Sequence, residues 1–379
     1  MILTLLFALV AADVSGTVFL DHNANGRRDA GEPGLAGVVV SDQVQVVTTD
    51  SAGVFRIAGS RGFGVVFVSV PDGYRPAGGF WQPAGEQLAF GLTRAPANDA
   101  VTFVHASDTH ISPASVAQMR RFRAMIDSIR PDFVIVTGDL VRDALRVGEA
   151  EATGYYELFE AEAARFAAPL FTVPGNHEIF GIERARSNVR ADHPLYGRAM
   201  YRRYRGPDYY SFNAGGIHFV GLNSIDVDDQ WYYGHIDSVQ LAWLARDLAA
   251  IPADMPVVTF NHIPFFTAVE TINGFMDTPP APSTITIGGR TQFRHNVSNA
   301  SEVLGRIRPH PFPLALGGHM HVRERLRYEG AETRFDQAAA IIGPSRGAGL
   351  TFTPGVTVYT VRAATIGEGT FVPLGAALP

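Results

Sequence analysis

Asp108-Thr109-His110, Gly138-Asp139, Gly175-Asn176-His177-Glu178, Asn261-His262 and Gly317-Gly318-His319-Met320-His321 gather imidazoles, carboxylates and a side-chain amide into five short segments. The chain has no cysteine, so none of these ligands is sulfur. A mixed nitrogen and oxygen set suits Mn, Fe, Zn or a similar divalent ion. The side chains are too many for one tetrahedral ion and suit two ions that share a carboxylate. Two such ions, roughly 3.5–4 Å apart, clamp an in-line displacement at phosphorus and make hydroxide available near neutral pH by acidifying bound water. Composition removes competing chemistries. Without cysteine there is no disulfide scaffold, thiolate metal site or catalytic thiol. All 31 basic residues are arginine, which excludes a Schiff-base lysine and a P-loop lysine.

Something must bring the five segments together. Each follows an apolar run: Val101–Ala106, Phe133–Val136, Leu170–Val173, Val257–Phe260 and Leu314–Leu316. In an α/β sheet, ligands bind beyond the carboxyl ends of the strands, so the five can converge there. Helical spacing of apolar residues predicts helices over Val116–Ile129, Tyr155–Phe166 and Val239–Ala250. Strands alternating with helices imply an α/β layered core. Residues 14–90 read differently. Short β-branched runs at Gly16–Leu20, Val38–Val40, Val44–Thr48, Val54–Ile57 and Val65–Val70, separated by turn residues, predict a small all-β sandwich, with Gly91–Asp99 as a linker. The expected domains are therefore 13–96 and 97–379. The apolar run Met1–Val10 with Ala12 reads as a secretory signal over residues 1–12, too short to span a bilayer. Export to the periplasm or beyond is expected, with the cytoplasm as the alternative. The net charge of −6 argues against broad nucleic-acid binding.

The series DxH, GD, GNHE, a lone H and GHxH, in that order, resembles the calcineurin-like metallophosphoesterase superfamily over nearly all of residues 101–360. Gly206–Phe212, His218–Ser224 and Gln240–Leu244 also look like members of it. The resemblance implies a four-layer αββα sandwich and a binuclear centre. In it Asp108, His110 and His321 would hold one ion, Asn176, His262 and His319 the other, and Asp139 would bridge them. His177 would contact a phosphate or leaving oxygen as general acid or charge stabiliser. Glu178 would orient its neighbours. The implied reaction is hydrolysis of a phosphomonoester, phosphodiester or pyrophosphate by in-line attack of a metal-bridging hydroxide. Many relatives carry GDxxD, whose second Asp supports the motif histidine. Here Arg142 takes that place and Asp143 follows one residue later, so Asp143 is left out of the catalytic set and Arg142 becomes a candidate phosphate contact. The GDxxY of purple acid phosphatases is absent, so no tyrosinate colour is expected. Two alternatives stand beside this reading. One is a nuclease of the same superfamily, using the arginines between Arg184 and Arg205. The other is a non-catalytic surface binding protein using the N-terminal module.

The remaining candidates lie outside the five clusters. His105 and His218 sit within apolar strands and read as core residues, and His310, between prolines, as a surface residue. Ile179–Arg205 and Thr267–Ala300 are long for loops and follow ligand clusters, so Arg294 and His295 are expected to contact substrate. Near the N-terminus, Asp21, Asn23, Asn25, Arg27 (through its carbonyl), Asp29 and Glu32 have the spacing of an EF-hand calcium loop, though the flanks are strand-like. That stretch resembles the opening of the B-type repeats of bacterial surface adhesins and related prealbumin-like modules. A structural calcium ion is the expectation, against an ion-free Asx-rich turn.

Overall fold

The computed structural model describes residues 13–96, 98–270, 282–347 and 350–375. The segment read as a secretory signal lies outside the described residues. No described helix is long and apolar enough to cross a membrane. Contacts divide the chain into two units, Met1–Pro96 with Ala242–Ala250, and Ala97–Leu241 with Ile251–Pro379.

The first unit is built from β1 (Val14–Leu20), β2 (Val39–Ser41), β3 (Val46–Thr48), β4 (Val54–Ile57), β5 (Val65–Val68), β6 (Tyr74–Pro76), β7 (Trp81–Pro83) and β8 (Leu88–Arg94). They form two four-stranded sheets, in the orders β4-β1-β8-β6 and β3-β2-β5-β7. Inward residues such as Val18, Phe55, Phe90, Val40 and Phe67 are fully or almost fully buried. Part of the expected linker is strand instead: β8 runs through Gly91 to Arg94 and pairs in parallel with β1. A glycine reads as punctuation in sequence, and here it lies inside a ladder. The segment Ala242–Ala250, expected within the catalytic domain, groups with the first unit. Its Trp243 packs edge-on against Phe67, with centroids 6.3 Å apart, and its indole N–H donates to Ser41 Oγ at 3.2 Å. Helical periodicity marks an apolar face but not the core that the face covers.

The second unit contains β9 (Val101–Ala106), α1 (Val116–Ile129), β10 (Phe133–Val136), α2 (Glu149–Ala163), β11 (Leu170–Thr172), α3 (Arg184–Ser187), α4 (Arg198–Arg205), β12 (Tyr210–Ala214), β13 (Ile217–Gly221), β14 (Ile225–Asp228), β15 (Trp231–Gly234), α5 (Ser238–Leu248, shared with the first unit), β16 (Val257–Phe260), β17 (Thr284–Ile287), β18 (Arg290–Phe293), α6 (Ala300–Ile307), β19 (Leu314–Gly317), β20 (Glu324–Arg327), β21 (Arg334–Gln337), β22 (Ser345–Gly347), β23 (Leu350–Phe352), β24 (Gly355–Arg362), β25 (Thr365–Ile366) and β26 (Thr370–Pro373). One sheet runs β11-β10-β9-β24-β25, with β26 on β24, and the other runs β12-β13-β16-β19-β21-β20.

Strand alternation sorts the layers. Phe103 of β9 and Phe133 of β10 meet Phe219 of β13 edge-on, with centroids 5.4 and 5.3 Å apart, so the two sheets face each other. Val104, Ala106, Val134 and Val136 point the other way and pack in one core with Met119, Phe122 and Ile126 of α1 and Tyr156 and Phe159 of α2. On the second sheet, α6 joins the parallel strands β16 and β19. Since Phe212 and Phe219 fill the inner face, that crossover lies outside. The order is helix, sheet, sheet, helix, so the second unit is a mixed α/β core. Neither long loop is structureless among its described residues. The segment after His177 holds α3 and α4, and the segment before Ala300 holds the β17–β18 hairpin.

Candidate metal centre

Strands β9, β10 and β11 run parallel in one sheet, and β16 and β19 run parallel in the other. Each is followed by one of the five clusters. The loops then lace together past the strand ends. Asp108 N–H donates to Gly138 O at 3.0 Å and His110 N–H to Asp139 O at 2.9 Å. Across the second sheet, Gly318 N–H donates to His262 O at 2.9 Å. Gly138 and Gly175 are required where two loops touch. A Cβ on Gly138 would lie 2.7 Å from Gly175 N, and one on Gly175 would lie 2.2 Å from Asp139 Oδ1.

Five ligand candidates sit in the left-handed backbone region: Asp108 (φ 57°), His110 (39°), Asp139 (49°), His319 (71°) and His321 (55°). Outside glycine such backbone costs about 1–3 kcal/mol per residue, and it persists where surrounding structure over-determines it. Here the left-handed steps turn successive side chains of Asp108–His110 and His319–His321 back into one place.

The result is two overlapping groups of ligand atoms, Asp108, His110, Asp139 and His321 in one and Asp139, His262 and His319 in the other, each with its atoms within 4.8 Å of one another. His110 Nε2 lies 3.5 Å from Asp139 Oδ2, and His321 Nε2 lies 3.1 Å from Asp108 Oδ1. His262 Nε2 lies 3.3 Å from Asp139 Oδ1 and 3.3 Å from Asn176 Oδ1. Asp108 Oδ1 is buried and receives no aligned hydrogen bond. Lone-pair atoms thus converge with few donors between them, and an oxygen and imidazole set sharing one carboxylate fits two divalent cations.

Electrostatics follow from burial. Asp139 is buried, which opposes its ionisation, but the His262 and His177 rings outweigh this and hold its carboxyl well below the usual range. Burial and the neighbouring Asp139 charge push Glu178 up to about 8. Glu178 ties two loops together: Oε1 accepts Val141 N–H at 3.0 Å and Oε2 accepts Gly175 N–H at 2.6 Å. His262 fixes its ring by donating Nδ1–H to Thr137 O at 2.7 Å.

A cleft of about 450 Å³ opens over the centre, lined among others by Arg142, Asp143, Arg146, His177 and Tyr232. His177 Nε2 lies 3.9 Å from Asp139 Oδ2. Its Nδ1–H meets the backbone carbonyl of Arg142 at 2.5 Å, not the carboxylate of Asp143. Asp143 is occupied with Arg146 at 3.4 Å. Arg142 is exposed, and its guanidinium makes no ion pair among the described residues.

Not every expected residue reaches the cleft. Arg294 is only 1% exposed, its guanidinium lies 4.2 Å from the Tyr232 ring centroid, and it donates to Tyr232 O at 3.2 Å. It is a buried cation packed on Tyr232, and it is not among the residues that line the cleft. His295 does not line the cleft either; its Nδ1 faces His319 Nε2 at 2.6 Å. His105 is a core residue, pushed down to about 3 by burial and bonded through Nε2 to Thr137 Oγ1 at 3.0 Å. His218 pairs with Asn213 at 2.8 Å, and His310 is half-buried rather than at the surface. Tyr232 and Arg146 of the cleft escape sequence reasoning, because neither sits in a motif.

In the N-terminal loop the candidate oxygens are met by the loop's own donors. Asp21 Oδ2 accepts Gly26 N–H at 2.7 Å, Asn23 Oδ1 accepts Asn25 N–H at 3.2 Å, and Asn25 Oδ1 accepts Arg27 N–H at 2.7 Å. Glu32 accepts the N–H groups of His22 and Asp29 at 2.8 and 2.9 Å, and Asp29 takes the amides of Asn23 and Asn25. These are Asx-turn hydrogen bonds, which fold the loop back on its own side-chain oxygens.

Residues 101–323 match the calcineurin-like phosphoesterase family, and residues 22–87 match the N-terminal domain of calcineurin-like phosphoesterases. A 3′,5′-cyclic adenosine monophosphate phosphodiesterase of Escherichia coli is 25% identical over 249 residues, 61% of this chain and 73% of that protein. A cAMP/cGMP dual specificity phosphodiesterase of Mycobacterium tuberculosis is 24% identical over 249 residues, 60% of this chain and 64% of that protein. Among solved structures, a dimetal phosphatase from Danio rerio aligns over 73% of this chain and 99% of its own at 16% identity, with a TM-score of 0.45.

Proposed function

The chain belongs to the calcineurin-like phosphoesterase family of metal-dependent phosphoric ester hydrolases, and on that premise we propose that it hydrolyses a phosphodiester in the cleft over Asp139. The observation that carries the reading is the carboxylate of Asp139, common to both ligand groups on the floor of a cleft that also presents His177 and Arg142. Asp108, His110, His321 and Asp139 would hold one ion, and Asp139, Asn176, His262 and His319 the other. When bound, two divalent ions supply Lewis-acid polarisation of the phosphoryl group and the nucleophile for displacement in line with the leaving oxygen.

The protein's own groups do the rest. A carbonyl acceptor on Nδ1 requires a proton there in either charge state of His177, so any proton this ring gives or takes passes through Nε2, the atom nearer Asp139. His177 is thereby placed to assist the leaving oxygen. Arg142 stands on the same cleft as a free cation for a non-bridging phosphate oxygen. Glu178 holds the loops of Asp139 and Asn176 in register. The diester preference is supported by the two bacterial relatives, which are cyclic nucleotide phosphodiesterases.

The nuclease reading loses its main support. Of the seven arginines from Arg184 to Arg205, six are paired with acids: Arg184 with Asp229, Arg186 with Glu183, Arg190 with Asp192, Arg198 with Asp237, Arg202 with Asp208 and Arg205 with Glu160. Little net positive field remains there for a polyanion. The first unit is matched as a companion domain of the phosphoesterase, while its likeness to prealbumin-like modules rests on sequence resemblance.

The deciding experiment compares bis-p-nitrophenyl phosphate, p-nitrophenyl phosphate, a 3′,5′-cyclic nucleotide and a nucleoside diphosphate sugar, with Mn, Zn or Fe added. Chelator-sensitive turnover highest on the diesters is expected. Turnover on the monoester alone would make the protein a phosphatase and refute the diester reading. A mutant pair tests the phosphate contact. Losing a charge-assisted hydrogen bond worth about 1.5–3 kcal/mol, Arg142→Ala should lower kcat/KM roughly 10–100-fold. Asp143→Asn should cost less than about fivefold, because it weakens only a partly exposed ion pair. Equal losses in the two variants would mean that the carboxylate matters and that the backbone carbonyl does not replace it.

A further inference from the structure

A histidine that ligates through one ring nitrogen carries its proton on the other, and that proton needs an acceptor. His262 gives its outer proton to the carbonyl of Thr137. His319 faces inward through Nδ1, which lies 3.1 Å from His262 Nε2, and outward through Nε2. The outward nitrogen lies 2.6 Å from Nδ1 of His295. The two rings are 23° from parallel with centroids 4.9 Å apart, so at that nitrogen separation they meet edge to edge and not face to face. The contact is an in-plane N–H to N hydrogen bond. With Nδ1 of His295 accepting, its proton sits on Nε2, which points toward Glu270 Oε1 at 3.9 Å. Glu270 is itself buried. Tyr232 closes the flank: its ring stands edge-on to both His295 and His319, and Arg294 packs against it at 4.2 Å.

We propose that His295, backed by Glu270, is a positioning residue that fixes the tautomer and ring orientation of His319 and thereby holds the ion shared by Asp139, His262 and His319. This inference rests on the binuclear reading of the site and replaces the expectation that His295 touches substrate. It gives Arg294 and Tyr232 a purpose as well, as the packing that keeps the His295 ring in the plane of His319.

The test reads metal binding directly. Mn and Co(II) titrations, with metal content after dialysis, are compared for the unaltered full chain, His295→Phe, His295→Asn and Glu270→Gln. Phenylalanine keeps a ring of similar size but accepts no hydrogen bond, whereas asparagine returns an acceptor near the position of Nδ1. Loss of an outer-shell partner typically weakens metal binding about 10–100-fold. His295→Phe should therefore weaken one of two ions by that factor, alter the Co(II) spectrum and lower kcat. His295→Asn should recover most of the affinity, and Glu270→Gln should show a smaller weakening of the same ion. Circular dichroism melting separates these effects from unfolding, and Glu270→Gln carries the test if Phe unfolds the chain, an unchanged affinity for both ions there overturning the proposal. Both ions bound within twofold of the unaltered protein in His295→Phe, or a raised KM with metal content unchanged, overturns the proposal while leaving the centre intact. An unaltered chain that takes up fewer than two ions would overturn the binuclear reading and this inference with it.

Discussion

Asp139→Asn is expected to strip the protein of both ions and to lower phosphoesterase turnover by roughly 10³-fold or more. The residue belongs to both ligand groups, so no other single change touches both at once. Metal ions contribute several kcal/mol of transition-state charge stabilisation in such reactions, and each 1.36 kcal/mol is about tenfold in rate. The substitution is nearly isosteric, and it keeps the oxygen that accepts His177 N–H at 3.0 Å. The loop therefore has reason to survive. What disappears is the charge. Buried His262 faces that carboxylate at 3.3 Å, and burial alone would drive it neutral, yet Asp139 holds it up at about 9. The check is metal content by mass spectrometry beside steady-state kinetics and a melting curve. Two ions retained with turnover within tenfold of the unaltered protein would show that Asp139 does not bridge, and the assignment of the centre would fail.

The centre is legible in sequence because its chemistry is local: each ligand lies within a few residues of the end of an apolar strand, and the spacing survives without knowledge of the fold. Helix α1 is readable to the residue for a related reason, since its apolar positions keep one period from Val116 to Ile129. The rest depends on what lies across space. Strand β24 sits beside β9 in the middle of its sheet, yet its chain follows a stretch of Gly, Ser and Pro and carries no ligand to draw notice. Strand β20, with sequence ERLR, is an edge strand whose charges hide its period of two. Arg294 shows the sharper limit. In sequence it is a cation beside a histidine in a long loop, the pattern of a substrate contact, and only packing reveals a guanidinium laid on Tyr232. Arg198, Arg202 and Arg205 of α4 mislead in the same way, because their partners Asp237, Asp208 and Glu160 lie outside the run that suggested a basic patch.

His177→Ala separates the reacting group from the ions. Its ring is in neither ligand group, and its Nε2 lies 3.9 Å from Asp139 Oδ2, too far for a direct hydrogen bond. Removing it should leave two ions bound with nearly unchanged affinity. Its contribution is at the leaving oxygen, where positioned general acids supply roughly 10²–10⁴-fold. A fall of that order in kcat, with KM little changed, is the expected result. The loss should shrink on a diester with a good leaving group such as p-nitrophenolate, which departs without a proton, and grow on an alkoxide leaving group. That contrast distinguishes proton donation from mere phosphate binding, which would cost both substrates alike. The orienting partner sharpens the argument. Because the Arg142 carbonyl and not a carboxylate accepts from Nδ1, the ring is oriented by backbone and not by an acidic side chain. Loss of an ion in His177→Ala would make the ring a ligand, and a kcat that stays within about threefold on both substrates would leave the leaving oxygen to the ions alone.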